Sequence, residues 1–279
     1  MDRRDAALDA QLAFLQAEHL RLSTLLRELI HVNHLRRPDT LTRASFDWQW
    51  KALPDGAAMP SNAAFLDTIP QQIQQFCDLP ASWFPGKRVI DVGCGLGRWS
   101  HGLASMGATV TSFDQSDAGI EATRALCQSY ADHRAIRCDL LVRADLPSET
   151  FDLVYCFGVC HHTADMILAL EHVLSLVKPG GRVFLMLYGY PQNHNDYRYY
   201  ATMAEWRNRL APLTYAERVA AISAAFPGED VHAYFDAISP EINELVTWEW
   251  CQSFLQDRGF TDVRRTITHQ NHHFIGTRD

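Results

Sequence analysis

The apolar pattern of this chain changes character along its length. Between 5 and 36, Leu8, Leu12, Leu15, His19, Leu22, Leu26, Leu29 and Asn33 recur at alternating spacings of four and three, which puts them on one stripe of a helix. Such a stripe fits a helix packed on its own chain. The sharper alternative is a helix paired with its copy in a homodimer, with His19 and Asn33 as polar seam positions. From Arg37 to Pro85 the pattern is irregular and interrupted by prolines at 38, 54, 60, 70, 80 and 85. Within it, Phe65, Ile69, Ile73 and Phe76 predict a short helix over 63–76, which Pro70 must break or delay.

Order begins at Lys87. Residues 88–92 read as a strand opening on a glycine loop, and 97–105 as a helix stopped by Gly107. A second strand over 109–113 ends at Asp114, and Ser116 is the N-cap of a helix running to Tyr130. Strands over 135–138, 152–157 and 182–188 follow, the last preceded by a helix over 164–177 and the turn Lys178-Pro179-Gly180-Gly181. After Tyr188 the alternation gives way to helices: 196–210, a Thr214-x-x-Glu217 capping box opening a helix to Phe226, and 247–258. Two strands, 262–268 and 272–277, close the chain as an antiparallel hairpin.

This alternation predicts an α/β fold: a doubly wound, mostly parallel seven-stranded sheet whose last strand is antiparallel, with helical N-terminal and post-strand-five cap segments. The expected division is a helical cap or lid over 1–84, a core over 85–189 and 259–279, and a helical insertion on the acceptor side over 190–258.

Composition narrows the function classes. At 279 residues and 47% hydrophobic the chain can bury a large core, and its net charge of −8 disfavours a phosphate-backbone partner. Seven cysteines without a CxxC pair read as reduced thiols, no apolar stretch follows the charged N-terminus, and no segment is apolar for the length of a membrane helix. A cytoplasmic protein without a membrane or nucleic-acid partner is expected. Adjacent His272 and His273 on a strand point to opposite faces, so with His269 and His232 they do not converge on one metal; none is expected.

Candidate chemistry starts at Asp91-Val92-Gly93-Cys94-Gly95-Leu96-Gly97. The loop follows a strand, opens a helix, and has the acid Asp114 at the end of the next strand, which describes a nucleoside-binding crossover. Alone, the loop suits a dinucleotide as well. Its Gly-x-Gly-x-Gly spacing, however, resembles motif I of the class I S-adenosylmethionine-dependent methyltransferases. Asp114 is similar to that family's ribose acid and Asp139-Leu140 to its adenine pair. The run from Phe151 to Val154 with Phe157-Gly158-Val159-Cys160-His161-His162 resembles the strand-four motif of the small-molecule subgroup, and Leu176 to Gly181 the turn into strand five.

The resemblance covers 87–189 and implies S-adenosylmethionine as cofactor. Asp91 is expected at the methionine end, with Gly93, Cys94, Gly95 and Gly97 along the loop. Asp114 and Gln115 are expected at the ribose, Asp139 and Leu140 at the adenine, and Phe157 and Val159 beside the sulfonium. His161 and His162, at the ligand edge of strand four, are the candidate proton acceptors; orienting the loop is the plainer role. Tyr188, Tyr190, His194 and Tyr197, in a segment with five tyrosines in thirteen residues, are candidates for the acceptor pocket, together with Trp48. A small-molecule methyltransferase is the leading expectation. Action on RNA or protein, or a non-catalytic nucleoside-binding partner subunit, are the alternatives.

Overall fold

A computed structural model describes residues 11, 12, 14–22, 37–53 and 62–279. Residues 11, 12 and 14–22 are helical; the remainder of the helix expected over 5–36 lies outside the described residues.

The core holds seven strands: β1 (Arg88–Val92), β2 (Thr109–Asp114), β3 (His133–Arg137), β4 (Phe151–Phe157), β5 (Val177–Leu187), β6 (Phe260–Ile267) and β7 (His272–Arg278). Their order is β3-β2-β1-β4-β5-β7-β6. All pairings from β3 to β5 are parallel, and β7 runs antiparallel between β5 and β6. The order reverses between β1 and β4, where doubly wound sheets open their ligand crevice. β5 begins earlier than its apolar run because Val177 pairs with Phe151 and Lys178 to Gly181 then bulge before Arg182 rejoins the ladder.

Period-two alternation divides the strand residues between two cores. Val89, Leu153, Tyr155 and Phe184 face one side, under α3 (Ile69–Cys77) and α4 (Arg98–Ser105). Ile90, Val92, Val154, Cys156, Val183 and Leu185 face the other, under α6 (Met166–Ser175) and α10 (Trp248–Gln256). The remaining core helix, α5 (Asp117–Leu126), starts at Ser116, whose hydroxyl accepts the Gly119 N–H. His272 and His273 do diverge: His272 lies beside Trp248 and takes part in a hydrogen bond to the Val246 carbonyl, while His273 stacks among Phe76 and Phe157.

Two N-terminal elements depart from expectation. The irregular region contains a sixteen-residue helix, α1 (Arg37–Ala52), which presents Thr42, Ser45 and Gln49 to the interior. Pro70 splits the expected 63–76 helix into α2 (Ala63–Leu66) and α3, taking the first turn of α3, where its missing N–H costs nothing. Ile69, Ile73, Cys77 and Phe84 then join the sheet's own core, so this part of the N-terminal segment packs with the core rather than above it.

Beyond β5 stand α7 (His194–Leu210), α8 (Tyr215–Ala225) and α9 (Val231–Ile238). The Thr214–Glu217 capping box forms as read. These helices and α1 share a separate apolar cluster of Leu53, Met203, Leu210, Ile222, Phe235 and Ile238. No helix among the described residues is long and apolar enough to cross a membrane.

The seam between α3 and α4 depends on a missing side chain. A Cβ on Gly102 would stand 2.6 Å from a methyl of Ile69 and 2.8 Å from one of Ile73. Gly102→Ala should therefore destabilise the fold by about 1–3 kcal/mol, read from the urea midpoint at unchanged m-value, despite alanine's better helix propensity. A stabilised variant would show that the seam has slack.

Candidate active site

The glycine loop leaves β1 and is fastened to its neighbour β2. The N–H groups of Gly93 and Cys94 both donate to the Phe113 carbonyl, at 2.9 and 3.0 Å. Asp114 completes the clamp: one carboxylate oxygen accepts the Gly95 N–H at 2.9 Å and the other the Ser116 N–H at 2.8 Å. Burial pushes this carboxyl up, and these backbone donors hold it back. Gly93, at φ +70°, lies so close to β4's exit that a Cβ would stand 2.4 Å from a methyl of Val159. Gly97, at φ +87°, is close to the backbone of Thr123 on α5.

Asp91 is fully buried below the loop. One of its oxygens accepts a 2.6 Å hydrogen bond from Ser100. Ser112 donates to Ser100 at 2.7 Å and is itself 2.9 Å from His133 Nε2, so a polar chain runs from β3 to the loop. Sequence reading missed this chain, because isolated serines on α4 and β2 carry no signal until the helix lies over the strand. The other Asp91 oxygen has no hydrogen-bond partner, and burial raises the carboxyl to about 7. An orphaned buried carboxylate oxygen beneath a glycine loop suits a ligand that brings a donor, such as an ammonium.

Above the loop a cleft of about 690 Å³, counted out to its mouth, runs along the strand ends. The core supplies Gly93, Asp114, Gln115, Asp139, Leu140, Gly158, Val159 and His162. Helix α1 supplies Arg43, Phe46 and Trp50 as the facing wall. Arg43 donates to Asp139 at 2.6 Å and also to Gln115. Burial raises the Asp139 carboxyl, but Arg43 and the Leu141 N–H outweigh this and hold it below its usual range. Both side chains keep more than a quarter of their surface exposed, so the ion pair contributes no more than about 1 kcal/mol and can yield.

His162 is held more firmly. Its Nδ1 is 2.8 Å from the Ile242 carbonyl, which can only accept, so Nδ1 carries the proton and Nε2 is bare. Phe46 of α1 meets the ring edge-on at 5.0 Å, and burial drops its pKa to about 4. Thr42 of α1 accepts the N–H groups of Glu241 and Ile242, fixing the segment whose carbonyl orients the imidazole.

The candidates read from sequence thus divide. Asp114, Gln115, Asp139, Leu140, Gly93, Val159 and His162 meet on the cleft, with Asp91 and Gly97 supporting it from behind. Cys94 packs behind the loop on Ile120 and Ala135, and Phe157 joins the aromatic group of Trp99, Phe76 and Phe184. His161 is fully buried with both ring nitrogens unpartnered, stacked on Tyr188 at 3.9 Å and away from the cleft walls. The other acceptor-pocket candidates stand away too. Tyr190 donates to the Gln16 carbonyl, His194 and Tyr197 are exposed at the start of α7, and Trp48 is stacked in the cap core. The residues missed are Arg43, Phe46 and Trp50. The last two, four apart on a helix, share a face that Trp48 does not.

Asp91→Asn isolates the buried carboxylate. With its folded pKa raised from 3.8 to about 7, the native state keeps a proton that the unfolded chain loses in that window, so wild-type stability falls as pH rises through it. Melting at pH 5 and pH 8 should show the asparagine variant gaining on wild type at pH 8. A pH-independent difference would contradict the assignment.

Comparison with known proteins agrees with this geometry. A family model described as a methyltransferase domain matches residues 67–238, more than half of the chain. The ubiquinone biosynthesis O-methyltransferase of Rhizobium leguminosarum bv. trifolii is 40% identical over 103 residues, 36% of this chain and 40% of that protein. That of Stutzerimonas stutzeri is 35% identical over 130 residues, 46% of this chain and 54% of that protein. The chain therefore spans about half the length, or less, of the curated relatives it matches. Among solved structures, an O-methyltransferase family protein from Burkholderia thailandensis has a TM-score of 0.51 at 16% identity, covering 96% of this chain and 70% of that one. A chain of the Haloferax volcanii complex between the Trm112 methyltransferase activator and its methyltransferase also has a TM-score of 0.51, at 18% identity, covering 80% of this chain and 78% of that one. At such identities the structures speak for the fold, and the family model for membership: this chain belongs to the methyltransferase-domain family and carries its Rossmann-like fold.

Proposed function

We propose that the protein is an S-adenosylmethionine-dependent methyltransferase acting on a hydroxyl group of a small molecule. The observation that carries this reading is the cleft itself, where Gly93, Asp114, Asp139 and His162 line one continuous wall across the ends of the first four strands. When bound, the cofactor supplies a methyl group already activated on a sulfonium. The chain's own work is therefore positioning and proton handling.

Asp114 retains lone pairs beyond its two backbone bonds and accepts from a ribose diol. Asp139 and Leu140 face the adenine, and the orphan oxygen of Asp91 accepts from the ammonium. On the acceptor side, the bare Nε2 of His162 receives the hydroxyl proton as the oxygen–carbon bond forms and the sulfur–carbon bond breaks, with the electron pair returning to sulfur. With a pKa of about 4 the imidazole is neutral at working pH, and it is a weak base suited to a proton already loosened by bond formation.

The relatives' name, ubiquinone biosynthesis O-methyltransferase, supports oxygen as the acceptor atom. The chain's net charge of −8 supports a small molecule over a nucleic acid, and seven free, buried cysteines support a cytoplasmic setting. In this reading α1 and α7 to α9 make up the cap. We further propose that residues 5–36 pair two copies of the chain, because Leu15 and Leu22 are exposed on the described part of that stripe.

Calorimetry with S-adenosylhomocysteine should show binding that Asp114→Ala weakens about tenfold or more and His162→Ala leaves within about twofold. His162→Ala should lower methyl transfer to catechols and phenols. Binding of NAD in place of S-adenosylhomocysteine would overturn the cofactor. A chain lacking 1–36 should sediment as a monomer where the whole chain does not; the same species for both would reject the pairing.

A further inference from the structure

A second cavity adjoins the cleft at the glycine loop. Trp50 walls both, standing over Gly95, where a Cβ would meet its ring at 3.1 Å. Beyond it, the second cavity is bounded by Gly95, Leu96 and Arg98 on the core side and by Gln49, His232 and Asp236 from α1 and α9. We propose that this second cavity is a carboxylate site and that Arg98 is the residue that binds the carboxylate.

Arg98 is the first residue of α4. Its guanidinium lies over Trp99 at 4.6 Å and Phe157 at 5.8 Å, so two aromatic rings set its plane and its N–H edges remain for other partners. Among the described residues it makes no hydrogen bond and no ion pair. The cap's acids do not take that place. Asp236 lies beside Gln49 on the cavity wall, and Asp230 accepts the first N–H groups of α9 from His232 and Ala233. Both act on Arg98 only through space, while burial lowers its pKa. An arginine cannot shed its proton, and the two rings and the distant acids offset only part of the cost of drawing it from water, which favours an anion that enters the cavity.

The same acids select the anion. Glu229, Asp230 and Asp236 line the cap side and repel a doubly charged phosphate, whereas a single carboxylate meets the guanidinium fork in two parallel hydrogen bonds. Two ligands bring this chemistry. One is the amino-acid end of the cofactor, which rests on the function proposed above; the other is a carboxylate on the acceptor, which does not.

The test titrates wild type, Arg98→Gln and Arg98→Lys with S-adenosylhomocysteine and with 5′-methylthioadenosine, the same nucleoside without the amino-acid end. Arg98→Gln should leave methylthioadenosine affinity within about twofold and weaken S-adenosylhomocysteine about tenfold or more, with Arg98→Lys between. Benzoate is then titrated into each S-adenosylhomocysteine complex. Benzoate binding to wild type that Arg98→Gln abolishes, with homocysteine-end affinity unchanged, assigns the carboxylate to the acceptor and keeps the proposal. If Arg98→Gln costs neither ligand affinity, the proposal is overturned. Should wild type bind no methylthioadenosine, the nucleoside reading fails, and the benzoate arm still decides Arg98 on its own.

Discussion

The hold of β2 on the loop of β1 is the constraint from which the site follows. Glycine frees a loop for close approach but does not fix its shape. Here the shape is fixed by three N–H groups of the loop, all spent on the last two residues of the neighbouring strand. Because the clamp belongs to the parallel register Val92↔Phe113, it is as firm as the sheet. Once the loop is held, Val159 closes on Gly93 from the other side of the sheet's switch point. The carboxylates of Asp91 and Asp114 then lie behind and beside a pocket of fixed outline.

The parallel core was legible in the sequence because both faces of its strands are buried. Arg88–Val92 and Phe151–Phe157 are short apolar runs bounded by glycine, proline or charge, and strand-end acids stand out against them. The capping box at Thr214 was legible because its reciprocal bonds need only local spacing. Helix α1 was illegible for the opposite reason. Its buried face carries hydroxyls and an amide, matched by partners as distant in sequence as Glu241 and His232. Helix α9 gave two turns after Gly228 and Asp230, too short a window for periodicity to speak.

Paired residues of one type illustrate the limit of motif reading. His161 and His162 share a sequence signature and a short 3₁₀ turn, yet one ring is sealed against Tyr188 and the other opens on the cleft with its tautomer set by a carbonyl. The same holds for the tyrosines after β5. Tyr188 and Tyr190 turn inward while Tyr197 and Tyr199 face solvent on α7. Composition announced an aromatic surface, and only the path of the chain decided which rings it used.

The polar inner face of α1 carries a dynamic consequence. A helix held by Thr42, Arg43, Gln49 and the Asp47–Ser116 bond exchanges protein partners for water when it lifts, at a net cost of about 0.5–1.5 kcal/mol for each hydrogen bond. The apolar helices under the sheet have no such alternative partner. Trp48 ties α1 to the cap helices through Phe235, so the contacts that water can replace are those between α1 and the core. The wall that covers the strand ends is thus joined to the core by polar contacts that a ligand of nucleoside size can displace without loosening the sheet that recognises it.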